Sequence, residues 1–259
     1  MHSQVDFGYA PIYVYGHLII TVIAAPLLYL AFKRGWPKLL MGALAAIALW
    51  SLASFVIVNY VVGINSRTTL PTEQFFKAGE GVVLDMGAGS GRSALMVLES
   101  RPKATLVALD TFAESYTEHF HEDSAAGQAR ILANLRAAGV AERATIKQGD
   151  MRQIPYPGAT FDAIVSVAAI DHLGSKGAGV ALKEASRVIK PGGDFLLIVL
   201  SKDAWLKFIA GPLMLHSGTP KMESWAMALN TLKFDIVEKG TRPATIWILA
   251  RKQNQPSGI

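Results

Sequence analysis

VVLDMGAGSGRSALMVL, from Val82 to Leu98, decides how this chain is read. An apolar run passes into a glycine-rich turn and then into apolar residues at helical spacing, which predicts a strand, a tight turn and a helix. Gly87, Gly89 and Gly91 let the backbone turn sharply and let a ligand approach it closely. The helix that follows points its free N–H groups into the same space. This pattern is a nucleotide-binding strand-turn-helix, but it is not the dinucleotide fingerprint G-x-G-x-x-G, because Arg92 stands where the last glycine would fall. Asp85 also argues against a pyrophosphate, since an anion beside phosphates would repel them. It suits a cationic ligand. A sulfonium-bearing amino acid, with an ammonium group and no phosphate, meets that description.

Working outward toward the C-terminus, TLVALD (Thr105 to Asp110) is a second strand that ends in an acid, where a carboxylate can accept hydrogen bonds from ribose hydroxyls. ATIKQGDMR (Ala144 to Arg152) gives a third strand closing on Gly149 and Asp150, and FDAIVSVAAIDHL (Phe161 to Leu173) a fourth. ALKEASRVI places Leu182, Ala185 and Val188 on one helical face; a KPGG turn and the strand DFLLIVL (Asp194 to Leu200) follow. Strands alternating with helices predict an α/β fold with a doubly wound, mostly parallel sheet and ligands at the C-terminal strand ends.

In this order the segments resemble the class I S-adenosylmethionine-dependent methyltransferases, over roughly Gly81 to Lys252. The resemblance implies a Rossmann-like seven-stranded sheet, closed by an antiparallel hairpin of FDIVEKG (Phe234 to Gly240) and ATIWILARK (Ala244 to Lys252). It implies S-adenosyl-L-methionine as cofactor. Asp85 and the turn Gly87, Ala88, Gly89, Ser90 and Gly91 would hold its methionine portion, Asp110 with Thr111 the ribose, and Gly149, Asp150 and Met151 the adenine edge. Val167 and Ala168 would border it.

The activity implied is methyl transfer by in-line displacement, for which the protein mainly supplies alignment and a dry site. A base is needed only if the acceptor carries a proton that must leave. His172 is the candidate base, with Asp171 orienting it or binding the acceptor; packing at the start of the next helix is the plainer role for His172. Tyr116, Trp205, His216 and Trp225 are the candidate acceptor contacts, drawn from the stretch Phe112 to Ser124 and the insertion Ser201 to Leu232. His119 and His121 lack a clear third ligand, so no metal site is expected. The fourth strand ends AAIDH, without the Asn/Asp-Pro-Pro-aromatic element of the resembling enzymes that methylate amide or nucleobase nitrogen. The chain has no cysteine, which excludes disulfides, zinc-thiolate sites and thiolate relays. The acceptor expected is a small, lipophilic or membrane-associated molecule; a membrane-anchored protein methyltransferase and a non-catalytic cofactor-binding scaffold or sensor are the alternatives.

Toward the N-terminus the character changes. Of the 259 residues 51% are hydrophobic and only 17% charged, with a mean hydropathy of +0.31, so part of the chain is expected in lipid. From Ile12 to Phe32 only His17 is ionisable, and a run of roughly 20 residues is long enough to cross a hydrocarbon core. KRGWPK breaks it, and a second uncharged run extends from Leu39 to Ile64. Residues 1–64 therefore read as a membrane-anchoring hairpin, 65–80 as a linker and 81–259 as the catalytic domain. A signal peptide would need a basic start and a shorter apolar core; a buried soluble hairpin is the other alternative. Gly42 and Ala46 give the second helix a small-residue face for packing on the first helix or on another copy, which would make a homo-oligomer. His17, near the end of its span, is expected to reach the interface. Lys33, Arg34 and Lys38 would by charge bias put the connecting loop in the cytoplasm, whereas cofactor supply demands a cytoplasmic catalytic domain; the cofactor argument is the one adopted. The net charge of +5 is not gathered into a basic stripe, so nucleic acid is not an expected partner.

Overall fold

The computed structural model describes residues 5–112, 124–201, 204–210 and 221–254. The chain divides into two compact units, one of Met1–Gly8, Arg67–Lys202 and Ser217–Ile259, the other of Tyr9–Ser66 and Asp203–His216.

The first unit is built on β1 (Gly81–Met86), β2 (Ala104–Asp110), β3 (Ala144–Gln148), β4 (Phe161–Val167), β5 (Ile189–Leu200), β6 (Phe234–Arg242) and β7 (Thr245–Lys252). They form one seven-stranded sheet in the order β3-β2-β1-β4-β5-β7-β6. β1 pairs in parallel with both β2 and β4, and β7 runs antiparallel to both β5 and β6. The order reverses at β1, so the crevice beyond the C-terminal ends of β1 and β4 is the topological switch point where such sheets bind ligands. Val83, Leu84 and Met86 of β1 are fully buried, as expected of a central strand covered on both faces.

In the described residues the helices of this unit are α3 (Arg92–Ser100), α4 (Ser124–Ala137), α5 (Gly174–Val188) and α7 (Met222–Thr231). α5 buries Ala178, Ala181, Leu182, Ala185 and Val188, a stripe at i, i+3, i+4 and i+7 that lies in the main core cluster. Phe195 of β5 and Phe234 of β6 are buried with ring centroids 5.9 Å apart, and burial of each ring contributes on the order of 2–3 kcal/mol. The expected KPGG turn is instead part of β5. The chain enters β5 at Ile189, ahead of these four residues, which bulge out between the pairs Phe161↔Ile189 and Ala163↔Asp194. The segment read as a linker is packed on this unit: Phe75 and Phe76 are buried, and Arg101 donates to the Phe75 and Phe76 carbonyls at 2.9–3.1 Å.

The second unit holds α1 (Pro11–Lys33), α2 (Lys38–Val56) with a π-helical turn over Ile57–Val61, and α6 (Ala204–Ala210). Its polarity is inside out. Buried between the helices lie His17, Ser51 and Ser54. Thr21 Oγ1 and Ser51 Oγ are 2.7 Å apart, and Asn59 donates to the Val14 carbonyl at 3.0 Å. Ile19, Val22, Ile23, Phe32, Leu39 and Leu49 face outward. Only 28% and 17% of the apolar stretches of the two helices are buried. Two expectations are corrected here. Gly42 and Ala46 are exposed and do not pack on the first helix, because Ala24, Ala31, Ser51 and Ser54 form the seam within the hairpin; packing of Gly42 and Ala46 on another copy is a separate expectation. His17 does not reach out to an interface; it is buried, and its ring packs edge-on against Trp50 at 5.4 Å. Trp50 Nε1 donates to the neighbouring Phe208 carbonyl at 3.0 Å. Trp50 of α2 thus occupies a carbonyl in the last turn of α6, a group that a helix end leaves without an internal partner.

Candidate cofactor and active site

The glycine turn is laced to the end of β2. The amides of Gly87 and Ala88 both donate to the Leu109 carbonyl, at 2.8 and 3.1 Å. Gly87, Gly89 and Gly91 all have positive φ, a region that side chains enter at a cost. Gly87 is also where the strand ends converge: a Cβ there would lie 2.3 Å from Ala169 Cβ and 2.8 Å from Met151 Cε. The turn after β1, the residue beyond β3 and the bend beyond β4 therefore meet at one point. Ala168, beside Val167 at the end of β4, itself adopts φ 47° while its amide donates to the Ile198 carbonyl at 2.8 Å.

Three acids sit at strand ends in different states. Asp85 is fully buried; Ser93 Oγ donates to its Oδ2 at 2.7 Å, and its Oδ1 has no hydrogen-bond partner among the described residues. Burial pushes its carboxyl up to about 7, with the Asp110 charge adding to the rise and the Ser93 hydrogen bond opposing it. Asp110 accepts from Gly89 N at 2.9 Å and from Phe112 N at 2.9 Å, and burial raises it too. Asp150 is held by Arg152, whose Nη2 lies 2.6 Å from Oδ2; that hydrogen bond keeps the carboxyl low and occupies the group expected at the adenine edge. Gly149 N donates to the Asp110 carbonyl at 2.9 Å, and the Thr111 carbonyl accepts from Gln148 Nε2 at 3.1 Å.

These residues fit S-adenosylmethionine. A buried carboxylate with an open oxygen, next to a turn that side chains would fill, suits an ammonium or sulfonium group better than a phosphate. Asp110→Ala is expected to weaken S-adenosylmethionine binding by on the order of 1–3 kcal/mol, because it removes a hydrogen-bonding carboxylate and strands the Gly89 and Phe112 amides. Equilibrium dialysis checks this, and wild-type affinity would remove Asp110 from the site.

Asp171 and His172 lie in a 3-10 turn, Ile170–Leu173, between β4 and α5. Asp171 Oδ2 accepts from the Leu200 amide at 3.2 Å, so part of this carboxylate fixes the end of β5. His172 is exposed, with its amide on the Ala169 carbonyl at 3.1 Å. Of the candidate acceptor contacts, Trp205 and Trp225 lie among the described residues. Trp205 is 41% exposed on α6 in the apolar unit. Trp225 on α7 is 4% exposed and packs in the core cluster, which corrects its assignment as an acceptor contact, since a core ring is not presented to a ligand. Tyr116, His119, His121 and His216 lie outside the described residues. Sequence reasoning missed Ser93, Arg152 and Ser166, whose Oγ donates to the Met86 carbonyl at 2.8 Å. A serine inside an otherwise apolar central strand was the available signal for Ser166.

Residues 83–193 match a family model described as a methyltransferase domain. That segment is therefore similar to a methyltransferase domain, and its sheet order and glycine turn give it the fold of the class I S-adenosylmethionine-dependent methyltransferases. The chain is 30% identical over 141 residues to a ubiquinone/menaquinone biosynthesis C-methyltransferase of Syntrophotalea carbinolica, covering 54% of this chain and 53% of that protein. It is 28% identical over 129 residues to a 27-O-demethylrifamycin SV methyltransferase of Amycolatopsis mediterranei, 47% of this chain and 41% of the relative. The chain thus spans about half the length of the curated relatives it matches. Among solved structures, an O-methyltransferase family protein of Burkholderia thailandensis shares the fold with a TM-score of 0.56 at 11% identity, covering 94% of this chain and 72% of that one.

Proposed function

We propose that this protein is a membrane-anchored enzyme that methylates a small lipophilic acceptor, with its catalytic unit on the cytoplasmic side of a bilayer crossed by α1 and α2. The observation that carries this reading is the inside-out second unit: apolar residues outside, His17, Ser51 and Ser54 within, and α6 held to the same helices. In lipid such a distribution satisfies polar groups internally. In water the exposed apolar face would be a large liability. α6 comes from the insertion after β5, the region expected to carry the acceptor, and it presents Trp205 and Phe208 outward. An acceptor delivered through that segment would be lipid-soluble. The two relatives are named for quinone and rifamycin chemistry, which are small-molecule acceptors.

When bound, S-adenosylmethionine supplies a methyl group already activated on sulfur. The chain contributes the rest: Asp85 and the glycine turn hold the cofactor, Asp110 orients it, and His172, exposed beside the switch point, takes the acceptor proton where one must leave. His172→Ala is expected to lower kcat by about 10²-fold or more with cofactor affinity unchanged. The test of the whole reading is S-adenosylhomocysteine release by the full chain in detergent. A lipid extract should support turnover and a delipidated protein fraction should not. Turnover on the protein fraction alone would overturn the acceptor class, and tight binding without turnover on either would overturn the enzyme. Reporters fused at each terminus test the topology; an external C-terminus would refute it.

A further inference from the structure

The residues just ahead of α1 belong by contact to the methyltransferase unit rather than to the apolar one. Asn134 on α4, 3% exposed, reads their backbone on both sides: its Oδ1 accepts from Asp6 N at 2.9 Å and its Nδ2 donates to the Asp6 carbonyl at 2.8 Å. The same Nδ2 donates to the Ser90 carbonyl, inside the glycine turn, at 2.9 Å. Asp6 Oδ2 pairs with Arg130 Nη1 at 2.6 Å, and Asp6 Oδ1 accepts from Gly8 N at 2.9 Å. Gly8 has φ 74°, and a Cβ there would lie 2.6 Å from Arg130 Nε, so the chain passes tight against that side chain. Phe7 is 1% exposed, with the guanidinium of Arg92, the first residue of α3, 5.8 Å from its ring centroid. Below the turn, Ile131 of α4 fills the space a side chain on Gly91 would take.

We propose that Asp6, Phe7 and Asn134 are positioning residues of the cofactor site: the N-terminal segment sets the conformation of the Gly89–Ser90–Gly91 turn, so cofactor affinity depends on residues that precede the membrane hairpin. The inference rests on the reading of that turn as the cofactor site. The turn is a run of small residues and is stiffened from outside, by Asp110 on one side through Gly89 N and by Asn134 on the other through the Ser90 carbonyl. With both holds in place its amides are pre-organised, and the ordering cost on binding is lower. Arg92, stacked near Phe7, locates the first residue of the helix whose N-terminus faces the site.

The test compares the full chain in detergent with Phe7→Ala, Asn134→Ala and Asp110→Ala, reading S-adenosylmethionine Kd by equilibrium dialysis. Phe7→Ala and Asn134→Ala should each raise Kd by about five- to 150-fold, the usual span of a coupling between sites. Coupling is reciprocal, so adding S-adenosylmethionine to the wild-type protein should slow hydrogen exchange at the Asp6 and Gly8 amides. A merely structural N-terminus would leave that exchange unmoved, and this arm holds even where Asn134→Ala folds poorly. Unchanged exchange, or wild-type Kd in Phe7→Ala while Asp110→Ala loses binding, overturns the proposal and leaves the cofactor site standing. Wild-type Kd in Asp110→Ala overturns the reading of the site itself.

Discussion

Asp85→Asn is expected to make the cofactor-free protein more stable at pH 8 and, at the same time, to remove most of its affinity for S-adenosylmethionine. The carboxyl ionises at 3.8 when unperturbed and holds its proton to about 7 in the folded chain, because it is fully buried. Between those values the folded state binds more protons than the unfolded one, so this group's contribution to stability is best in acid and falls as pH rises toward 7. The penalty at pH 8 is on the order of 2–4 kcal/mol. Asn has the same shape and no charge to desolvate, so the variant escapes that penalty and its stability should lose this pH dependence. Binding runs the other way. A cationic ligand favours the ionised carboxylate, so wild-type affinity should improve by about tenfold per pH unit from 5 to 7 and then level off. The variant should bind about 10- to 150-fold more weakly at pH 8, as expected for the loss of a charged hydrogen-bond acceptor, and show a flat profile. Urea melts and calorimetric titrations at pH 5.5, 6.5 and 8 measure both halves. A variant that is less stable at pH 8, or that keeps a pH-dependent affinity, would show that Asp85 is not the titrating group.

Gly87→Ala is the second large effect, and it acts on the fold. The added methyl must enter at φ 81°, which costs about 1–2 kcal/mol for an L-residue. It must also displace Ala169, whose Cβ would be 2.3 Å away on a backbone held at the end of β4, and overpacking of this kind costs roughly 1–3 kcal/mol more. The expected loss is on the order of 2–5 kcal/mol, a large share of a domain's stability. Gly139, with positive φ and open space around it, is the control: an alanine there should bear only the backbone cost. Equal melting temperatures for the two variants would mean that the three strand ends do not close on Gly87.

The parts of the fold legible in the sequence are those whose physical cause is local. The glycine turn, the acids at the ends of β1 and β2 and the apolar stripe of α5 each carry their reason within a few residues, and the alternation of strands with helices predicts the mostly parallel sheet but not the order of its strands. The KPGG stretch was misread because proline and glycine punctuate turns and bulges alike, and only pairing with β4 distinguishes them. Asp150 was legible as an acid at a strand end, but not as the partner of Arg152, since side-chain direction does not follow from spacing. Gly42 and Ala46 recommend themselves for close packing because they are small, but within the hairpin Thr21 and Ser51 decide the contact by a hydrogen bond. Trp225 is a candidate acceptor contact only by its position in the insertion after β5, and its place in the core depends on β6 and β7. Nothing near Asp6 announces Asn134.

That last pairing bears on how the protein is made. Asp6 and Asn134 are 128 residues apart in the chain, and both hairpin helices lie inside the interval. At about 5–20 residues per second, a ribosome exposes Asp6 on the order of ten seconds before Asn134 exists to receive it. During that wait the hydrophobic pair is already finished and free to be delivered, while the front of the chain hangs unmoored. A bilayer that drew Asp6 through with the first helix would deny it to α4 for good. If the hairpin enters a bilayer as proposed, correct insertion becomes a precondition for the last knot of this unit, and a misinserted copy would be left with a slack glycine turn.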